Sequence, residues 1–177
     1  MLADMARGFL DGAAPVGKLR EMRDAGVTHD AKLWKEMADM GWAGVLVPEA
    51  AGGSDMGFAA ANVIAEEMGK TLAVSPFLST AVIAATALRQ VSDERATAAL
   101  AKIASGDVTY ALAVDESVKF DPDTVQMQAK RDGNGFRLSG KKQFVVDGAM
   151  ADRVLVLART DNGLTLFDIP SDRAGIS

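Results

Sequence analysis

Near Gly106 the hydrophobic period of this chain changes from that of a helix to that of a strand, and no other feature constrains its fold as strongly. Before the change, apolar residues recur every three or four positions. Leu2, Met5, Phe9 and Leu10 mark one helical face, and Pro15 suits the first turn of a second helix with Leu19 and Met22 on its buried side. Asp30 is placed to cap AKLWKEMADM, whose apolar stripe is Leu33, Met37 and Met40 with Trp34 near its edge and Gly41 past its end. A glycine-rich connection, VPEAAGGSDMG at 47–57, leads into a helix through Ala60, Val63, Ile64 and Met68 that stops at Gly69. Ser75-Pro76 has the cap-then-first-turn order of another helix, with Phe77, Leu78, Val82, Ile83 and Leu88 facing the core. Ser92 is the expected cap of DERATAALAKIA.

After Gly106 the period is two. Val125, Met127 and Ala129 alternate with Gln126, Gln128 and Lys130, as in a half-exposed strand. Asp132-Gly133-Asn134-Gly135 is strong hairpin chemistry, and Ser139-Gly140 turns the chain into KKQFVVDGAMADRVLVLAR at 141–159. Within that stretch the first apolar run, Phe144 to Val146, is expected on a strand, and Val154 to Leu157 on one buried on both faces. Asp161-Asn162-Gly163 turns into LTLFDIP. Helices followed by strands predict an α+β chain: an all-helical domain at 1–106, then an antiparallel β-domain at 107–177. The last predicted strand ends near Ile169 and a helix is already under way at Met1, so an incomplete sheet and a piece of a longer protein are expected.

Function classes narrow by exclusion. Apolar residues at 49% and charged residues at 24% fit an ordinary folded domain, and a net charge of −5 argues against a nucleic-acid partner. No apolar run reaches the ~20 residues of a membrane span, and the first residues lack the pattern of a secretory signal. Together with the absence of cysteine this fits a cytoplasmic protein with no disulfide, thiolate nucleophile or cysteine-held metal. The single histidine, His29, reads as a surface residue at a helix start and cannot build a multi-histidine metal site. Difficult chemistry would therefore fall to a bound organic cofactor.

Five motifs stand in order along the chain: LWKEMADMGWAGVLVPEAAGG at 33–53, EEMGK at 66–70, ALAVDES at 111–117, GKKQFVVDGAMADRVLVLART at 140–160 and LTLFDIPSDRAGIS at 164–177. That order resembles the acyl-CoA dehydrogenase family. The resemblance covers the N-terminal helical domain and the front of the middle β-domain, without the C-terminal helical domain. It implies an FAD-dependent enzyme of fatty acid or lipid catabolism that removes two hydrogens from the α and β carbons of an acyl-CoA thioester. A glutamate base takes the α proton and flavin N5 accepts the β hydride. That base belongs to the C-terminal domain, beyond Ser177, and none of Glu49, Glu66, Glu67 or Glu116 is assigned the role.

Carried over residue by residue, the resemblance implies two flavin-facing segments. Where the family commonly reads Leu-Thr-Glu-Pro, this chain has Val114, Asp115, Glu116 and Ser117; the backbone can still donate to the flavin. Where the family reads Trp-Ile-Thr-Asn, it has Phe144, Val145, Val146 and Asp147. Phe144 keeps an aromatic face without an indole N–H, and Val146 keeps the branched shape of threonine without the hydroxyl that bonds N5. VKFDPD at 118–123 replaces the small, glycine-rich loop beside the CoA arm, leaving Lys119 and Asp121 as the substrate-binding candidates there. Pro48, Glu49, Gly52 and Gly53 match a turn whose role is backbone geometry. Also implied are a homodimer or homotetramer and an electron-transfer flavoprotein as electron acceptor. Two alternatives stay open: a non-catalytic partner subunit of a hetero-oligomer, and a flavin oxidase or monooxygenase on the same fold.

Overall fold

The computed structural model describes residues 1–176. They form two compact units, 1–109 and 110 onward. The first is helical, with α1 (Leu2–Ala13), α2 (Val16–Asp24), α3 (Ala31–Asp39), α4 (Gly57–Thr71), α5 (Ala85–Leu88) and α6 (Glu94–Ala104). Asp30 caps α3 as expected, its Oδ1 accepting the N–H groups of Lys32 and Leu33, each at 3.0 Å. At α6 the cap is Asp93 rather than Ser92. Its extended backbone lets Oδ1 accept Ala96 N–H at 2.7 Å, and a carboxylate suits the positive end of a helix better than a hydroxyl.

The core of this unit includes Leu10, Met37, Ile64, Phe77 and Ile103. Trp34 lies inside rather than at the edge of α3, while Met5 and Met40 face outward. Across α1 and α4, the buried Glu67 carboxylate accepts from Arg7 Nη2 at 3.1 Å and Lys70 Nζ at 2.8 Å. The Arg7 bond first, then the Lys70 bond, hold its carboxyl below the usual range. Glu67 is thus bound into the fold.

Two departures have local causes. The segment after Ser75-Pro76 starts as a π-helix, Phe77–Ala84, before continuing as α5. The hydroxyls of Ser79 and Thr86 donate backward to the carbonyls of Pro76 and Val82, at 3.2 and 2.6 Å, and such back-bonding loosens an α ladder. The wider turn buries Phe77, Thr80, Ala81 and Ala84 and turns Leu78 outward. The connection 42–47 is also buried, unlike most loops. Its carbonyls are satisfied from outside: Gly44 O accepts Ser54 N–H, Val45 O accepts Met56 N–H, and Leu46 O accepts Arg89 Nη1.

The second unit contains β1 (Tyr110–Ala113), β2 (Gln128–Asp132), β3 (Gly135–Ser139), β4 (Arg153–Thr160) and β5 (Gly163–Pro170). β4 is the central strand, and Val154, Leu155, Val156 and Ala158 are buried along it. β5 pairs with it antiparallel from Arg153↔Pro170 to Thr160↔Gly163. β1 runs parallel to it, from Tyr110↔Arg153 to Ala113↔Val156, and β2 meets it in parallel at Gln128↔Arg159. The helical part followed by a sheet is as expected, but the sheet is mixed rather than antiparallel. The chain between β1 and β4 makes a complete hairpin and returns in its original direction. That hairpin joins β2 to β3 through Gly133-Asn134, with Gly133 at φ 58°, the first central position that a II′ turn gives to glycine. Among the described residues, no helix is long and apolar enough to cross a membrane, and no group of acidic or histidine side chains could hold a metal.

Candidate functional site

Both segments singled out in the sequence emerge at the ends of elements in the β-unit. β1 ends at Ala113, so residues 114–117 leave the sheet with their backbone free of the ladder. Residues 141–145 form no strand, contrary to the expected one, and residues 146–150 are turns. The physical reason is local: Phe144 and Asp147 take left-handed conformations, at φ 53° and 57°, which break strand geometry. Phe144 is 66% exposed and Val146 is 49% exposed, so neither is a core residue. Val145 between them packs on the cluster of Ala113, Val154 and Val156 and anchors the turn.

What joins the two segments is a pair that sequence reasoning did not single out as one. Glu116 Oε1 accepts Lys142 Nζ at 2.7 Å, and Lys142 Nζ also donates to Val114 O at 3.1 Å. The same carboxylate accepts Gln126 N–H at 2.6 Å and Met127 N–H at 3.0 Å. Those N–H groups would otherwise belong to a ladder, which explains why β2 begins only at Gln128 although the alternation starts at Val125. Gln143 completes the seam: its N–H donates to Asp115 O at 2.8 Å and its Nε2 to Glu116 O at 2.9 Å. Burial pushes the Glu116 carboxyl up, but Lys142 and the two backbone donors outweigh it, and the net shift is downward. Glu116 is therefore an anion held by structure. The only sequence signal for the pair was a lysine with the same parity as two apolar neighbours.

Other candidates lie apart from this seam. Ser117 and Lys119 close a local turn, the Ser117 hydroxyl donating to Lys119 O at 2.8 Å. Asp121 caps a short 3₁₀ turn, Pro122–Thr124, by accepting Asp123 N–H at 3.0 Å. Lys119 is exposed. Among the described residues, none of the N–H groups of Phe144, Val145 and Val146 donates to a protein acceptor. Three unengaged donors beside an exposed aromatic ring can receive a flat heteroaromatic ligand whose ring nitrogens and carbonyls accept hydrogen bonds.

The strain at Phe144 is open to measurement. Phe144→Gly is expected to raise stability by about 0.5–1 kcal/mol, because glycine removes the left-handed penalty and little packing is lost at this exposed ring. Denaturant unfolding checks it, and a loss of stability would show that the ring is held by packing.

Comparison with known proteins agrees with this architecture. Residues 1–107 match the family model described as acyl-CoA dehydrogenase, N-terminal domain. Acyl-CoA dehydrogenase FadE27 of Mycobacterium tuberculosis is 31% identical over 177 residues, covering 99% of this chain and 46% of that protein. A variant of the Tcur3481–Tcur3483 steroid ACAD superposes with a TM-score of 0.87 at 32% identity, over 99% of this chain and 48% of that one. The ChsE4–ChsE5 complex from Mycobacterium tuberculosis gives a TM-score of 0.87 at 28% identity, with the same two coverages, 99% and 48%. The chain thus spans about half the length of the relatives it matches. The family model matched over residues 1–107, more than half of the chain, places it in the acyl-CoA dehydrogenase family.

Proposed function

We propose that the chain is part of an FAD-dependent acyl-CoA dehydrogenase, with 1–106 as its N-terminal helical domain and 107–177 as part of its middle β-domain. The observation that carries this reading is the set of unengaged N–H donors at Phe144, Val145 and Val146 beside the braced end of β1. This donor set fits a flavin. When bound, FAD supplies the two-electron redox chemistry. The chain's own residues orient it: backbone groups at Val114, Asp115 and Glu116 on one side, and Phe144 to Val146 on the other. Val146 lacks a hydroxyl, so the backbone provides the donor that threonine would otherwise supply. Lys119 is free to meet a CoA phosphate, with Asp121 ordering its loop through the 3₁₀ turn. The glutamate base is not among these residues. Breakdown of acyl-CoA in the cytoplasm, with an electron-transfer flavoprotein as acceptor and a dimeric or tetrameric assembly, follows from the same reading.

The test is the absorption spectrum of the protein purified at its natural length from its own host. A yellow protein with oxidised-flavin bands, bleached by an acyl-CoA substrate, is the expected result. A colourless protein that refuses added FAD removes the proposal.

A second reading is favoured by Asp115 and Ser117, which stand where threonine and proline are common in the family. A carboxylate at that strand end opposes the negative charge of a reduced flavin. Two of the similar structures are described by paired chain names, Tcur3481–Tcur3483 and ChsE4–ChsE5. In this reading the chain is a non-catalytic partner in a mixed complex. Co-purification with a second homologue, with one FAD for each pair of chains, selects it.

A further inference from the structure

We infer that Lys142, acting through Glu116, is a positioning residue that sets the spacing of the two flavin-facing segments; this rests on the flavin reading above. Lys142 is the structure's least expected cation. Its side chain is 6% exposed, although lysine almost never gives up water without a partner of opposite charge. It reaches across from residue 142 to bond both Val114 O and Glu116 Oε1, and the carboxylate it meets holds Gln126 N–H and Met127 N–H as well. One ion pair therefore ties three segments that are not joined there by strand pairing. Gln143, the next residue, adds two bonds to Asp115 O and Glu116 O. The residue after that is Phe144, where the chain turns left-handed and the unengaged N–H groups begin.

An arrangement that served stability alone would not need a buried charge, because a packed apolar pair of similar volume is often as stable. What a charge pair with fixed donors adds is a defined geometry. The pair locks residues 114–116 to residues 142–143, and through them fixes where the N–H groups of Phe144 to Val146 stand. Its loss lets the two segments slide, so the donors no longer meet the acceptors of one ligand together.

The experiment uses the protein at natural length, with any partner chain it purifies with, and compares wild type with Lys142→Met and Lys142→Arg. Met keeps the apolar stem and removes the ammonium, whereas Arg keeps the charge. FAD affinity is read by titration, and the fine structure of the visible flavin band at saturation. Lys142→Met is expected to weaken FAD binding by about tenfold or more and to alter the band, as loss of a charge-assisted bond implies. Lys142→Arg is expected to restore most of both. The band at saturation separates positioning from bulk stability, since a brace that only stabilises changes the melting temperature and leaves the spectrum of the loaded protein intact. Should Lys142→Met not fold, Lys142→Gln gives the comparison, because it removes the charge and leaves the Glu116 carboxylate free to keep its two backbone N–H bonds. A variant that binds FAD within about twofold of wild type, with an unchanged band, overturns the inference and leaves the flavin reading standing. A wild type that takes up no FAD overturns both.

Discussion

Gly53→Ala is expected to destabilise the helical unit by roughly 3 kcal/mol or more, the upper range for forcing an atom into packed structure. A Cβ at Gly53 would fall 2.0 Å from Val47 O and 2.5 Å from Val47 C, and both are backbone atoms that no rotamer change can move. Val47 is itself fully buried, and its carbonyl accepts Asp55 N–H at 3.1 Å, so shifting it breaks a second contact. The adjacent Gly52 provides the control. Its Cβ would meet nothing within 4 Å, but its φ is 82°, so Gly52→Ala carries only left-handed strain of about 1–2 kcal/mol. The two glycines of one motif thus serve different purposes, close approach and chain reversal. Denaturant unfolding of the two variants measures the difference, and equal losses would refute the steric account.

Tyr110→Ala carries the other large effect, roughly 3–5 kcal/mol as for other buried aromatics. Tyr110 opens β1, is 1% exposed, and heads the largest fully buried side chains. Its hydroxyl donates to Asp168 Oδ2 on β5 at 3.1 Å, and Arg153 Nε donates to the other oxygen at 2.7 Å. Burial, then the Asp168 charge, push the phenol up to about 12, so it stays a donor at any working pH. Tyr110→Phe keeps the ring and removes that donor, at an expected loss of about 1–2 kcal/mol. Urea melts of both variants separate packing from hydrogen bonding. If Phe costs as much as Ala, the hydroxyl rather than the ring holds β1 in place.

How much of this was legible in the sequence depends on the distance over which each feature is decided. The Asp30 cap, the Gly133-Asn134 hairpin and the buried β4 run are written within a few residues and stand where the sequence places them. The choice of Asp93 over Ser92 is decided by one residue's extended backbone, which composition does not report. Strand direction is decided over much longer range. The continuous apolar runs of β1 and β4 mark strands covered on both faces but do not by themselves give the direction of each neighbour, so the parallel pairing was not visible. The seam was hidden for a similar reason, since Glu116 and Lys142 lie far apart in the chain and only the folded path brings them to 2.7 Å. Phe144 misled differently. An apolar run after a lysine has the composition of a strand, and its left-handed turn is imposed by the packing of Val145 and the close approach of Gly148, whose Cβ would lie 2.8 Å from Val145 Cγ1.

The parallel pairing of β1 with β4 has a consequence for the order in which the β-unit assembles. β4 and β5 are joined by a two-residue loop, as are β2 and β3, so each hairpin closes over a short length of chain and can form within microseconds. β1 must wait, because its partner strand lies beyond the whole of the β2–β3 hairpin and both loops of the seam. Closing that long loop is the entropically costly step, and contacts of such high sequence separation set the slow end of folding. Residues 114–117 follow β1 directly, so they are expected to acquire their positions late. During synthesis residues 114–117 are made before β4, and they are expected to stay open until that strand is available to hold β1.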